Sequence, residues 1–162
     1  VYEALDLRLA QHPSENARYL VTRALAYALS YEEGIAFSKG GVSSTDEPPV
    51  IVRDPTGILL AWIEIGSPSA ARLHKASKAA RRVALFTSAD IASLREEAGS
   101  IHHAESIEVW ELEASFLDAI GERLERTLAL EVVHTGEQLY VTVGGEVLEG
   151  SVTRSMLRPE AG

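Results

Sequence analysis

The sequence predicts an α/β domain in which a mixed sheet is flanked by helices. Three observations carry that prediction. Short runs of aliphatic and β-branched residues recur at Val50–Arg53, Ile58–Ile65, Val83–Phe86 and Ile107–Leu112, each of ordinary strand length. Helix-forming stretches separate the last three of these runs, and a strand–helix–strand passage implies a parallel crossover. Gly144-Gly145 then lies between Tyr140–Val143 and Glu146–Leu148, a two-residue signal for an antiparallel hairpin near the end of the chain.

Residues 4–10 alternate apolar and polar, the period of a half-buried strand. A helix follows to about Tyr31, with Ser14 as its N-cap, Glu15 in the first turn, and Leu20, Ala24, Tyr27 and Tyr31 as its apolar stripe. Gly34 is expected to end it. Ile35–Ser38 and Val50–Arg53 are the next strands, and Asp54-Pro55-Thr56-Gly57 makes a tight turn into the strand Ile58–Ile65. That strand is apolar on both faces apart from Glu64, which places it inside the sheet. A helix from about Ala70 to Ala80 leads into Val83–Phe86. Ser88 is expected to cap a helix through Glu97 that leads into Ile107–Leu112, and a helix from about Ser115 to Leu124 precedes the final strands.

The 162 residues fit one domain spanning 1–162, with no repeat or long linker to divide it. No apolar run approaches the roughly 20 residues of a spanning helix, and no signal-peptide pattern opens the chain. With no cysteine, neither disulfides nor thiolate-bound zinc hold the fold, and a cytoplasmic location without membrane association is expected. The net charge of −9 restricts nucleic-acid binding to a local basic patch or to bound cations, because affinity for phosphate comes from Lys and Arg. The dense basic cluster is Ala71–Arg82, with Arg72, Lys75, Lys78, Arg81 and Arg82. Lys39-Gly40-Gly41 lacks P-loop spacing, and no Gly-x-Ser-x-Gly elbow occurs. His102, His103 and Glu105 look like a metal motif, but neighbours in sequence point apart and no further ligand pair is evident.

From residue 14 to 87 the expected order is helix, strand, strand, strand, helix, strand. This resembles the αβββαβ core of the PD-(D/E)XK (restriction-endonuclease-like) nuclease superfamily. The resemblance implies an acid before the second of those strands, matched by Asp46, and one near the end of the third, matched by Glu64. It also implies a further acid on the first helix, matched by Glu15. A hard cation such as Mg²⁺ or Mn²⁺ wants such oxygen ligands, and when bound it polarises a phosphoryl oxygen and supplies a hydroxide. The lysine expected two residues after the second acid is replaced by Gly66; Lys75 on the next helix is the substitute, with Lys78 behind it. Lys39, Arg72 and Lys78 are candidate phosphate contacts.

The finer resemblance is to the YaeQ family. It rests on His12-Pro13-Ser14-Glu15, Phe37-Ser38-Lys39-Gly40, Asp46-Glu47-Pro48, Trp62-Ile63-Glu64-Ile65-Gly66, the helix residues Arg72 and Lys75, and Val83–Thr87. It implies that relatives begin with a further strand, roughly twenty residues with its connection, so that the sheet edge is where this chain is expected to differ. Two functions are expected from these readings. One is a Mg²⁺- or Mn²⁺-dependent phosphodiesterase acting on nucleic acid, with Asp46 and Glu64 as metal ligands, Glu15 assisting and Lys75 stabilising the reacting phosphate. The other is a nuclease fold kept as a binding or regulatory module, open to a protein partner, in which Glu64 is a strand-end acid paired with Arg72 or Lys75.

Overall fold

The structure is a computed structural model that describes residues 2–7, 16–38, 47–123 and 128–159. Its strands are β1 (Tyr2–Leu7), β2 (Ile35–Phe37), β3 (Val50–Arg53), β4 (Leu59–Ile65), β5 (Arg82–Thr87), β6 (Ile107–Leu112), β7 (Leu128–Thr135), β8 (Gln138–Val143) and β9 (Glu146–Met156). The helices are α1 (Ala17–Leu29), α2 (Ala70–Ala79), α3 (Ala92–Glu96) and α4 (Ala114–Gly121). The mixed α/β class is as expected, and so is the order α1-β2-β3-β4-α2-β5. Among the described residues, one sheet of nine strands runs in the order β1-β7-β8-β9-β6-β5-β4-β3-β2. The two helical crossovers make β4, β5 and β6 parallel, and every other pairing is antiparallel.

Period-two alternation sorts the core into two layers. Ile63, Ile65, Ala84 and Phe86 pack with Val21, Ala24 and Leu25 of α1 and with Phe116, Leu117 and Ile120 of α4. On the other face Trp62, Leu85 and Val109 pack with Leu73 and Ala76 of α2 and with Leu94 of α3. Because β4 to β6 are covered on both faces, their sequences read as nearly continuous apolar runs.

Several boundaries differ from the sequence reading, each for a local reason. The N-cap of α1 is Asn16, whose side chain accepts from the Tyr19 N–H at 2.8 Å; Ser14 and Glu15 lie outside the described residues. Of the expected stripe, Leu20 and Ala24 are buried, whereas Tyr31 lies beyond the helix end and is 52% exposed. Helix α1 stops at Leu29, so Gly34 does not end it. Gly34 instead turns the chain at φ +89°, where an added Cβ would stand 2.1 Å from the Arg53 carbonyl oxygen. The helix expected from Ser88 starts at Ala92, where the Asp90 carboxylate accepts from the Ala92 N–H at 2.9 Å. Ile58 is exposed and β4 begins one residue later.

The Asp54 turn forms as expected. Its carboxylate accepts from the Thr56 N–H, the Thr56 hydroxyl and the Ile58 N–H, and these bonds hold it below the usual carboxylate range. The β8–β9 hairpin also forms, with Gly144 and Gly145 both at positive φ as a twisted two-residue turn requires.

The approach of Gly34 to β3 generates a test. Gly34→Ala must move the Arg53 backbone and also hold a non-glycine residue in the left-handed region. We expect a loss of about 1–3 kcal/mol of stability, read by chemical denaturation. Gly57→Ala is the matched comparison: it has positive φ with open space around it, and should lose less.

Candidate functional site

Glu64 sits one residue from the end of β4. The strand's alternation puts it on the α2 face with Trp62, opposite Ile63 and Ile65. It is 3% exposed. A carboxylate buried among aliphatic side chains needs compensation, and two donors supply it at the same oxygen. Trp62 Nε1 donates to Glu64 Oε2 at 3.1 Å, and Arg72 Nε donates to Oε2 in a buried ion pair. Arg72 reaches this position because Ser69 caps α2, accepting from the Arg72 N–H at 3.1 Å, which fixes the first turn over the strand end. Its guanidinium lies 5.4 Å from the centre of the Trp62 ring. Its Nη2 donates to the Glu47 carbonyl oxygen at 3.0 Å, so one guanidinium joins the end of β4 to the chain entering β3.

The other predicted residues divide into two groups. Asp46, Glu15 and Lys39 lie outside the described residues. Lys75 and Lys78 are on the solvent side of α2, and Arg72 is turned inward onto Glu64. Of the two partners expected for Glu64 as a structural acid, Arg72 makes the contact. Among the described residues no group of three or more His, Asp or Glu side chains is placed to hold a metal ion. The Oε2 oxygen of Glu64 already faces a cation and an indole N–H, so the described donors do not form a fit for Mg²⁺ or Mn²⁺.

A second buried carboxylate, not foreseen, lies on the opposite face of the sheet. Glu108 on β6 receives Arg82 Nε at 2.7 Å and Nη2 at 2.9 Å, and Trp110 Nε1 at 3.1 Å. Arg154 Nε of β9 stands 3.5 Å away. Burial by itself would raise the Glu108 carboxyl; the hydrogen bond and charge of Arg82, the indole N–H and Arg154 together hold it below the ordinary range. The readable signal was the spacing: Glu108-x-Trp110 repeats Trp62-x-Glu64 in reverse. Residues two apart on a strand share a face, so the indole can donate to the acid.

Two adjoining clefts open at the carboxyl ends of β5 and β6, where open α/β sheets place ligands. One, of about 610 Å³, is lined by Asp90, Arg95, Glu111, Glu113 and hydroxyls including Thr153. Its Arg95 is engaged by the carbonyls of Met156 and Leu157 and by the Ser155 hydroxyl. The other, of about 200 Å³, lies between the start of α1 and the end of β4, and Thr87, Ser88 and Ala89 border both.

With this geometry in place, comparison with known proteins gives the family. The profile described as YaeQ protein matches residues 1–152. The chain belongs to the YaeQ family. It is 32% identical to the YaeQ protein of Escherichia coli strain K12 over 153 residues, which covers 91% of this chain and 83% of that protein. The YaeQ protein of Salmonella typhi is also 32% identical, over 152 residues and 82% of its length. The crystal structure of YaeQ from Pseudomonas syringae superposes with a TM-score of 0.81 at 26% identity, covering 90% of this chain and 82% of that one. That of YaeQ from Xanthomonas axonopodis pv. citri gives 0.80 at 26% identity, over 91% and 85%. None of these names states a reaction. No helix among the described residues is long and apolar enough to cross a membrane.

Two outcomes follow for this YaeQ-family site. Glu64→Gln leaves the buried guanidinium of Arg72 facing a neutral amide, and should lower stability by about 1–3 kcal/mol in denaturant titration. An unchanged or raised stability would mean that Glu64 is held under repulsion instead. For Glu108 the folded carboxyl lies below its unfolded value, so its contribution is complete above the ordinary carboxylate range. It disappears as pH falls through the folded value. The stability gap between wild type and Glu108→Gln should therefore be widest near neutrality and narrow as pH drops below about 4.5.

Proposed function

We propose that the chain is a nuclease-like scaffold that works by binding, with Glu64 serving as the anchor of Arg72. One observation supports this reading above others: Glu64 Oε2 accepts from both Arg72 Nε and Trp62 Nε1 at a buried strand end. A cation brought to that oxygen meets the guanidinium. A divalent cation and a guanidinium ~4 Å apart at an effective dielectric of ~20 repel by about 8 kcal/mol, so metal entry requires Arg72 to leave. Gly66 standing where nuclease motifs carry a lysine points the same way, since the group that steadies a charged transition state is missing from its usual place.

A second reading draws on the Arg72 bond to the Glu47 carbonyl. That contact sets the residue following Asp46 against the same guanidinium as Glu64. In this reading Asp46 and Glu64 hold Mg²⁺ or Mn²⁺, which would supply Lewis acidity to a phosphodiester. Glu15 assists, Lys75 steadies the phosphate, and Lys39, Arg72 and Lys78 contact its oxygens.

Manganese separates the two. Under the binding reading, calorimetric titration with Mn²⁺ should give the same heats for wild type and for the Asp46→Ala/Glu64→Ala double variant, checked to be folded by circular dichroism. DNA and RNA substrates should stay intact with Mn²⁺. Specific Mn²⁺ binding that the double variant loses, with cleavage that disappears in Glu64→Gln, would replace this reading with the hydrolase.

A further inference from the structure

The charge of this protein is distributed unevenly. It carries twenty-four Asp and Glu against fifteen Lys and Arg, yet no acid occurs in residues 65–89, which hold Arg72, Lys75, Lys78, Arg81 and Arg82. The fold then separates these five. Arg72 and Arg82 turn into the sheet, to Glu64 and Glu108. Lys75, Lys78 and Arg81 are exposed. Leu73 and Ala76 bury one side of α2 against Trp62 and Leu85, so the opposite side presents Ala71, Lys75, Lys78 and Ala79 to solvent.

The neighbouring loop extends this basic face. The His102 N–H donates to His74 Nδ1 at 3.0 Å, and Ser77 Oγ donates to the His102 carbonyl, which seats the loop on α2. Burial, then the neighbouring side chains of His103, Lys78 and His74, hold His102 below its usual range, against the opposing effect of Glu105. Glu105 of the same loop is engaged by His103 at 3.3 Å.

The make-up of the face selects its partner. Protein interfaces rely on aromatic or bulky anchors, and this side of α2 offers two alanines between cations. Insertion into a lipid surface needs an apolar helix face at the surface, whereas the apolar side of α2 is buried in the core. Single-stranded nucleic acid is held by stacking on large aromatic rings, and α2 has no Phe, Tyr or Trp; its one ring, His74, accepts from the His102 N–H of the loop seated on it. A regular row of phosphates needs only placed cations. We propose that the solvent face of α2, with Arg81 and His102 beside it, docks the phosphate backbone of duplex nucleic acid. This rests on the binding reading of the preceding section and names its partner.

Three cationic contacts set the expected behaviour. Log K should fall with log salt at a slope of about −2.7, a loss of about forty-fold between 50 and 200 mM salt. The test is fluorescence anisotropy of a short labelled DNA duplex with the full chain in EDTA, so that no divalent ion contributes. Lys75→Gln/Lys78→Gln/Arg81→Gln should abolish most of the slope and the binding. Circular dichroism checks that the triple variant keeps the wild-type fold. Arg53→Gln, exposed beside the Asp54 turn, should bind as wild type. No duplex binding at the lowest salt, a triple variant that binds like wild type, or tighter binding to the single strand, to anionic vesicles or to polyglutamate would each overturn the proposal. Mn²⁺-dependent cleavage lost in Glu64→Gln, with the triple variant still deficient in binding, would instead overturn the binding-only reading and keep this surface.

Discussion

A carboxylate in the middle of a hydrophobic layer must be paid for locally, and Glu64 organises its surroundings accordingly. It faces the α2 side of a strand whose neighbours are Ala61, Ile63 and Ile65, all buried. Such a charge persists only with a cation and hydrogen-bond donors close by. Arg72 and Trp62 meet that need, and each requirement fixes a further piece of structure. Arg72 has to stand in the first turn of α2, so the helix must start at Ala70, capped by Ser69, just after the strand end. Its remaining N–H groups then reach the chain entering β3. One buried charge thus ties three segments that are not adjacent in sequence.

Glu108 solves the same problem on the other face with the same residue types, an acid, an indole two positions away and an arginine from a neighbouring element. The two clusters lie on opposite sides of one continuous sheet. Between their strands, β4 and β6, runs β5, covered by apolar side chains on both faces. Replacing either acid by a hydrophobic residue of similar size, together with its arginine, could leave stability nearly unchanged, because buried ion pairs often do little better than good packing. What such a pair retains is orientation, since a bidentate guanidinium accepts one geometry and apolar contacts accept several.

Where the chain was legible, local chemistry decided the structure. Val50–Arg53 and Ile107–Leu112 form strands at the expected limits, because each is a short β-branched run bounded by polar or turn residues. The Gly-Gly hairpin was readable because only glycine adopts two successive left-handed positions without strain. Where tertiary pairing decided, the sequence was less informative. The strand β9 runs for eleven residues and contains Gly150, Ser151 and Ser155, which have weak strand preference; it is held by β8 along its first half and by β6 along its second. Ser88 resembled a helix cap, yet the chain leaves β5 without turning helical until Asp90 offers its own carboxylate. At the site, Glu64 stood out as a charge in an apolar strand. Its partner was narrowed to the following helix, but choosing Arg72 over Lys75 required knowing where that helix starts. Glu108 is less legible because its strand carries a second acid, Glu111, and the indole near it reads as ordinary core.

The pairing of β1 with β7 has a consequence for how the chain is made. Tyr2 stands opposite Val133, so β1 finds its partner only after β2 to β6 have all been synthesised. The parallel trio can associate earlier, through contacts spanning a few dozen residues, and would serve as the platform onto which later strands add. Until β7 arrives, β1 is an unsatisfied edge with free amide and carbonyl groups, the kind of surface that attracts other nascent chains. Pairing strands as far apart in sequence as β1 and β7 is also slow, since the entropy of the large loop is lost before the pairing can compensate. The vulnerable interval for this protein is therefore during translation, when chaperone capture of the unpaired β1 would matter most.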